Sequence, residues 1–169
     1  MKTSIEFNLK PDWDEIERIR NESAGFLQAH NLNDDTIHSL SMIISELIEN
    51  GIKYGQYKMV ENRVMVRIGI ERNAVTIEVV NPVGENAVKH LSKLDKTIQW
   101  IRGYQDPFEP YIERLKEVSK KPLTDTESGL GLVRIAYEGK AQLDFFVSEN
   151  QILNVSAVSI IEGDDRNLS

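Results

Sequence analysis

The sequence predicts an α+β protein, a two-layer α/β sandwich with helices on one face of a mixed, mostly antiparallel sheet. Three observations indicate this class. Segments with strictly alternating apolar residues read as strands, segments with apolar residues at helical spacing lie between them, and the order is strand, two helices, hairpin, helical segment, helix, hairpin. Helices grouped beside a largely antiparallel sheet form such a sandwich.

Length and charge limit the function classes. The chain has 169 residues, which suits a single domain over residues 1–162 with a polar tail at 163–169. The net charge of −7 argues against direct nucleic-acid binding and against anionic membranes. The chain has no cysteine, which excludes disulfides and thiolate chemistry. Without an apolar signal-peptide core or a membrane-length apolar run, we expect a cytoplasmic protein.

The first half of the chain predicts one strand and two helices. Residues 4–9 alternate as a strand, and Asp12 is expected to cap a first helix, with Glu15 completing a capping box. A second helix starts at Asp34 or Asp35 and ends at Gly55. Gly51 lies inside it at a cost of about 1 kcal/mol relative to alanine, for which a close approach of backbone or ligand is one reason. The expected buried residues of the first helix are Trp13, Ile16, Ile19, Phe26 and Leu27, and those of the second are Ile37, Leu40, Ile44, Leu47 and Ile48.

The second half predicts two hairpins separated by helices. Residues 63–71 and 75–79 alternate on either side of a tight turn, and residues 143–147 and 152–160 form the second hairpin after a short helix at 133–137. Residues 86–121 are expected to be a helical insertion and a candidate lid, with a break at residues 103–107. Its apolar residues are Val88, Leu91, Leu94, Ile98 and Ile101, then Phe108, Tyr111, Ile112, Leu115 and Val118.

One polar stripe on the second helix carries the clearest chemistry. Glu46 and Asn50 lie four residues apart, with Lys53 and Tyr54 one turn further, so all four share a helix face. A carboxylate beside an amide can bind hydrated Mg²⁺ or activate a water, and the cation and ring suit a phosphate and a base. Taken alone, the same pattern is also typical of a solvated face with a polar last turn.

A glycine motif precedes the last predicted helix. Residues 129–132 read Gly-Leu-Gly-Leu, with Gly129 and Gly131 flanking Leu130. Glycines let a backbone approach phosphate closely, and a helix start offers free N–H groups to an anion. By itself the motif is equally typical of a plain junction between loop and helix.

These two motifs, in this order of elements, resemble the GHKL family, the ATPase domain shared by gyrase B, heat-shock protein 90, histidine kinases and MutL. The likeness covers about residues 1–160 and is nearest to the stand-alone anti-sigma-factor serine kinases of bacterial partner switches. It implies a Bergerat-type ATP-binding fold with ATP and Mg²⁺ as cofactors. By resemblance Glu46 is the general base, Asn50 the Mg²⁺ ligand, Lys53 a phosphate contact and Tyr54 a border of the nucleotide, while Gly129, Leu130, Gly131 and Leu132 hold phosphate.

The middle motif departs from the family. GHKL proteins have Asp-x-Gly-x-Gly where this chain has Asn81-Pro82-Val83-Gly84-Glu85. Asn81 still offers a carbonyl oxygen to the amino group of adenine, and Gly84 is carried over as a nucleotide contact. Pro82 fixes its own φ, and the loop loses the freedom that the missing glycines would give it.

The resemblance implies a regulatory kinase that phosphorylates Ser or Thr of a partner protein, either a STAS-type antagonist or a sigma-factor-like protein, and that pairs as a homodimer. The alternative is a degenerate GHKL domain that acts as a non-catalytic binding module. An ATPase acting as a conformational clamp is the weaker third interpretation. Among other polar residues, His30, His38 and His90 are expected at the surface or at element boundaries, and Arg134 is expected to be exposed rather than to contact phosphate.

Overall fold

A five-stranded sheet forms one layer and helices the other, in a computed structural model that describes residues 2–59, 61–119, 130–163 and 166. This confirms the α+β two-layer class. A short 3₁₀ turn at Glu85–Ala87 precedes the third helix. The elements are β1 (Lys2–Leu9), α1 (Asp14–Ala29), α2 (Asp34–Tyr54), β2 (Val64–Glu71), β3 (Ala74–Pro82), α3 (Val88–Arg102), α4 (Phe108–Ser119), α5 (Leu130–Tyr137), β4 (Ala141–Val147) and β5 (Ile152–Ile160).

The strand order is β1-β2-β3-β5-β4, and every neighbouring pair is antiparallel. Ile68 lies opposite Ile5 on one side and Ile77 on the other, and Ile77 in turn faces Ala157 of β5. Because side chains alternate along a strand, this register collects the apolar positions of all five strands on one face. That face, covered by the helices, forms the core.

The opposite face of the sheet is polar. Arg67 of β2 contacts Glu6 of β1 at 3.0 Å and Glu78 of β3 at 3.8 Å. Asn154 of β5 donates a hydrogen bond to the same Glu78 carboxylate at 3.1 Å. The described helices cover the apolar face of the sheet, and the face with these cross-strand polar pairs is left to solvent.

Helix starts differ slightly from the sequence prediction. Helix α1 begins at Asp14 with Trp13 at the N-cap position, one residue later than expected, although the Asp12 carboxylate does accept a hydrogen bond from the Asp14 N–H at 3.0 Å. Trp13 therefore stands outside the helical repeat and is 54% exposed, so its placement in the core was wrong. Val88, the first residue of α3, is also exposed, at 73%, although it lies within its helix. Helix α2 is capped by Asn33, whose side chain accepts the Thr36 N–H.

The predicted helical insertion is present as α3 and α4. Helix α4 packs against α5, and α3 contacts both α5 and β4. The Arg114 guanidinium lies 5.3 Å from the centroid of the Trp100 ring, which joins the two inserted helices. Within the described residues, no helix combines the length and the apolar character needed to cross a bilayer.

Helix α2 comes unusually close to strand β3 at Gly51. A Cβ at this position would lie 3.3 Å from both Asn81 Oδ1 and Val79 Cγ1, so close backbone approach accounts for the glycine. The Gly51 carbonyl accepts two hydrogen bonds, from the Gly55 N–H at 3.0 Å and from the Tyr57 hydroxyl at 2.7 Å. The end of α2 is thereby tied to the segment that follows it.

Replacing Tyr57 by Phe tests this tie. The variant loses one hydrogen bond but orphans no acceptor, because the Gly55 N–H still binds the Gly51 carbonyl. We expect the free energy of unfolding to fall by about 1 kcal/mol. Urea denaturation followed by circular dichroism measures the change, and Tyr104→Phe, in the loop that follows α3, is the control for removing a tyrosine hydroxyl elsewhere. A loss no larger than that of the control contradicts the role of the hydroxyl.

Candidate functional site

The polar stripe of α2 lines a cavity of ≈ 520 Å³ between α2, α3 and the start of α5. This volume lies within the range of small-molecule sites. Of the residues that the sequence analysis singled out, the structure brings Glu46, Asn50, Lys53 and Tyr54 together with Gly131 and Leu132 around this cavity. The remaining residues of the lining are Trp13, Glu49, His90, Lys93, Leu94 and Thr97.

Glu46 is the most constrained polar group of the cavity wall. Its side chain is 19% exposed, and its Oε1 lies 3.1 Å from Nη1 of Arg134 on α5. Arg134 also donates from Nε to Glu138 Oε2 at 3.0 Å. Arg134 was expected to be exposed, and its side chain is 37% exposed; the sequence did not indicate that its guanidinium spans two carboxylates.

Burial raises the pKa of Glu46 above its ordinary value. The neighbouring Glu49 carboxylate raises this pKa further, and Glu138 adds a smaller contribution in the same direction. Arg134 lowers the pKa of Glu46 but does not outweigh burial and Glu49 together. A carboxylate with a raised pKa is better suited to accept a proton near neutral pH.

Gly131 has a steric role toward Glu46. A Cβ at residue 131 would overlap Glu46 Oε2, so the carboxylate occupies space that a side chain would otherwise fill. Leu130 is the first residue of α5 and packs against the core, and Leu132 is buried while also lining the cavity. Gly129 lies outside the described residues.

The middle motif contributes through Asn81 alone. Asn81 is 2% exposed, and its Nδ2 donates to the Pro82 carbonyl at 3.1 Å. It lines a second cavity of only ≈ 20 Å³, together with Asn50 and Gly51. Gly84 lines neither cavity, and a Cβ there would overlap the Gln56 side chain.

His90 is a site residue that the sequence analysis missed. Its ring stacks on Tyr54, with centroids 3.8 Å apart and planes inclined by 13°. It lines both cavities, as does Leu94 one turn further along α3. No local sequence signal marks His90, because the stack joins α2 to α3 between residues that are 36 positions apart in the sequence.

The site suits an anion and a cation bound together. Asn50 offers an amide oxygen, and Lys53 contributes a positive charge on the same wall. Among the described residues, no group of three or more His, Cys, Asp or Glu side chains is placed to hold a metal ion. A divalent cation at Asn50 would therefore need most of its oxygen ligands from water or from a bound anion, as Mg²⁺ commonly does.

The fold and the cavity define a class: an α+β two-layer protein with a polar cavity between a long helix of the helical layer and an inserted helical pair. No protein-family model matches the chain, and no curated protein matches its sequence. Among solved structures, the chain is similar to one from the crystal structure of the SiaB–SiaC complex from Pseudomonas aeruginosa, with a TM-score of 0.64 and 19% identity. The match covers 93% of this chain and 89% of the other, and it shows a shared fold.

The raised pKa of Glu46 gives a prediction for stability against pH. The folded state favours the protonated carboxyl, so Glu46 costs stability progressively as the pH rises from its ordinary value through the raised one. In Glu46→Gln this cost is absent. We expect the free energy of unfolding of the wild type, minus that of Glu46→Gln, to decrease between pH 4 and pH 7.

Chemical denaturation of both proteins at several pH values measures this difference. Glu22→Gln on α1 is the control for removing one glutamate charge. A difference that stays level, or that increases with pH, contradicts the assignment of a raised pKa to Glu46.

Proposed function

We propose that this protein is a GHKL-type regulatory protein kinase that binds Mg-ATP and phosphorylates a serine or threonine of a partner protein. The carrying observation is the convergence of Glu46, Asn50 and Lys53 with Gly131 around one cavity of ≈ 520 Å³. These residues come from two motifs more than seventy positions apart in the sequence. The fold shared with the SiaB–SiaC chain supports the same assignment at the level of architecture.

Each residue has a role that its chemistry supports. Mg-ATP supplies the phosphoryl group, and the Asn50 amide oxygen would hold the metal. Lys53 would neutralise phosphate charge, and the Tyr54 ring would border the base. Glu46 accepts the proton of the acceptor hydroxyl as that oxygen bonds to the γ-phosphorus, while the bridging oxygen leaves with ADP. Phosphoryl transfer needs mainly positioning and charge stabilisation, which this small set can provide.

The partner is proposed to be another regulatory protein. The similar solved chain belongs to a complex of two proteins, SiaB and SiaC, which supports a function exercised through a partner. A STAS-type antagonist or a sigma-factor-like protein would present the accepting hydroxyl to Glu46. A homodimer is part of the same proposal.

A second candidate function is a non-catalytic binding module. It is favoured by the base end of the site, where Asn81 is buried and the cavity beside it is only ≈ 20 Å³. In this alternative, the polar stripe and the inserted helices hold a protein partner without nucleotide. Nucleotide binding therefore separates the two functions.

Calorimetric titration with Mg-ATP decides between them. The kinase is expected to bind, and ligand at a hundredfold excess over Kd would stabilise the fold by ~2.7 kcal/mol. Asn50→Ala is expected to weaken binding in the presence of Mg²⁺ much more than in EDTA. Absence of both heat and thermal shift at millimolar Mg-ATP favours the binding module.

Glu46→Ala tests the catalytic role. Removal of a general base is expected to lower phosphoryl transfer by about 10²- to 10⁴-fold, while the Kd for Mg-ATP stays within a fewfold of the wild type. Transfer is measured with γ-labelled ATP and a cell extract, counting only acid-stable label, because phosphoserine and phosphothreonine survive acid whereas phosphohistidine does not. If Glu46→Ala transfers as much acid-stable label as the wild type, Glu46 is not the general base. Glu22→Ala is the control for losing a glutamate elsewhere.

His90→Ala tests the base end of the site. The His90 ring covers one face of Tyr54 at 3.8 Å, where a nucleobase would otherwise stack. An aromatic pair of this kind contributes about 0.5–1.5 kcal/mol, so its removal is expected to tighten Mg-ATP binding roughly 2- to 10-fold. The control is His38→Ala on α2. Weaker binding by His90→Ala would mean that the imidazole contacts the nucleotide instead of competing with it.

A further inference from the structure

We infer that Arg134 is a positioning residue for Glu46, and that it links this carboxylate through Glu138 to Tyr111 of the inserted helix α4. The inference rests on the proposed function, since it assigns Glu46 a neighbour that sets its orientation for proton transfer. Arg134, Glu138 and Tyr111 lie outside the motifs that carry the family resemblance. Their roles are therefore inferred from the contacts that they make in this structure.

Arg134 acts from behind the cavity wall. Glu46 lines the cavity, whereas Arg134 does not. The guanidinium donates from Nη1 to Glu46 Oε1 at 3.1 Å and from Nε to Glu138 Oε2 at 3.0 Å. Because a guanidinium is planar with fixed donor directions, two carboxylates bound through Nη1 and Nε restrict its rotation and therefore the position of Glu46.

The second oxygen of Glu46 is restricted by packing. Oε2 lies against Gly131, where even a Cβ would overlap it. Both oxygens of the carboxylate are therefore restricted: Oε1 by its ion pair with Arg134, and Oε2 by its close packing against Gly131. The orientation of a general base is then set before any substrate arrives, which is the condition for efficient proton transfer.

The charges around Glu46 make Arg134 its principal counter-charge on α5. Glu49 on α2 and Glu138 on α5 both disfavour the ionised form of Glu46, and Arg134 favours it. The other titratable groups on the cavity wall are Lys53 and Tyr54 of α2 and His90 and Lys93 of α3. Without Arg134, a carboxylate with a 19% exposed side chain would stand between two others, and repulsion would turn it toward solvent.

Helix α4 carries Tyr111, the last residue in this series of contacts. The Tyr111 hydroxyl donates to Glu138 Oε1 at 3.0 Å, and its ring lies 4.8 Å from that of Tyr137 on α5. The two oxygens of Glu138 thus bind Tyr111 and Arg134 separately. Three consecutive side-chain contacts therefore connect α4 to Glu46: Tyr111 to Glu138, Glu138 to Arg134, and Arg134 to Glu46.

The test compares steady-state hydrolysis of Mg-ATP by the wild type, Arg134→Ala, Arg134→Lys and Tyr111→Phe, with water as the acceptor. We expect Arg134→Ala to lower kcat about 10- to 100-fold, as misplacement of a catalytic group does, with KM and the calorimetric Kd for Mg-ATP changed less than about twofold. Arg134→Lys should recover only part of kcat, because an ammonium cannot span both carboxylates as the planar fork does. Tyr111→Phe should lower kcat in the same direction by a smaller factor.

Arg18→Ala is the matched control, since Arg18 also lies between two glutamates, Glu15 and Glu22, but on helix α1. Circular dichroism and Tm establish that each variant is folded. The inference is overturned if Arg134→Ala keeps the wild-type kcat, if it raises KM at constant kcat, or if Arg18→Ala shows an equal loss. If Glu46→Ala is inactive while Arg134→Ala is fully active, the positioning role of Arg134 is refuted but the proposed function is not. A wild type that neither binds nor hydrolyses Mg-ATP refutes the proposed function and this inference together.

Discussion

Helix α2 crosses strand β3 at Gly51, and the closeness of this crossing determines how the two layers meet beneath the site. A Cβ there would lie 3.3 Å from Asn81 Oδ1 and Val79 Cγ1, so a larger residue would have to push the helix away from the sheet or displace both neighbours. The adjacent Asn50 lines both the cavity of ≈ 520 Å³ and the cavity of ≈ 20 Å³, so its side chain lies between them. The Gly51 carbonyl holds the end of the helix through Tyr57. A glycine that weakens a helix locally thus allows the packing that aligns the polar stripe with the sheet.

The second constraint is electrostatic. The helical layer places two carboxylates, Glu49 and Glu138, close enough to Glu46 to raise its pKa. Burying like charges is costly unless a cation with good geometry lies among them. Arg134 provides that cation for Glu46 and Glu138, and its pairing joins α2 to α5 as well as balancing charge. The raised pKa of Glu46 shows that the balance is incomplete, because burial and Glu49 still dominate. A carboxylate left somewhat basic in a cavity wall is what a proton acceptor requires.

Most of the architecture could be predicted from the sequence because its signals are local. Alternation over eight or nine residues identifies β2, β3 and β5, and helical spacing from Ile37 to Ile48 identifies α2 and places Glu46 and Asn50 on one face. The failures have physical reasons too. Trp13 fits the helical spacing of apolar residues but precedes the first helical residue. The spacing therefore predicted a helix start one residue too early. The contacts of His90 and Arg134 join residues 36 and 88 positions from their partners, and no local pattern encodes such pairs.

The two cavities lined by Asn50 differ in what they can accept. The cavity of ≈ 520 Å³ is lined by the polar stripe of α2, whereas the cavity next to Asn81, at ≈ 20 Å³, has room for about one water molecule. His90 and Leu94 of α3 are among the side chains that line the small cavity, so its size depends on how α3 packs. The same insertion carries Tyr111 on α4, which contacts Glu138 of α5. Arg114 of α4 packs over Trp100 of α3, so the two inserted helices are in contact. This pair of helices therefore contributes His90 and Leu94 to the wall of the small cavity, and Tyr111 to the side-chain contacts that end at Glu46.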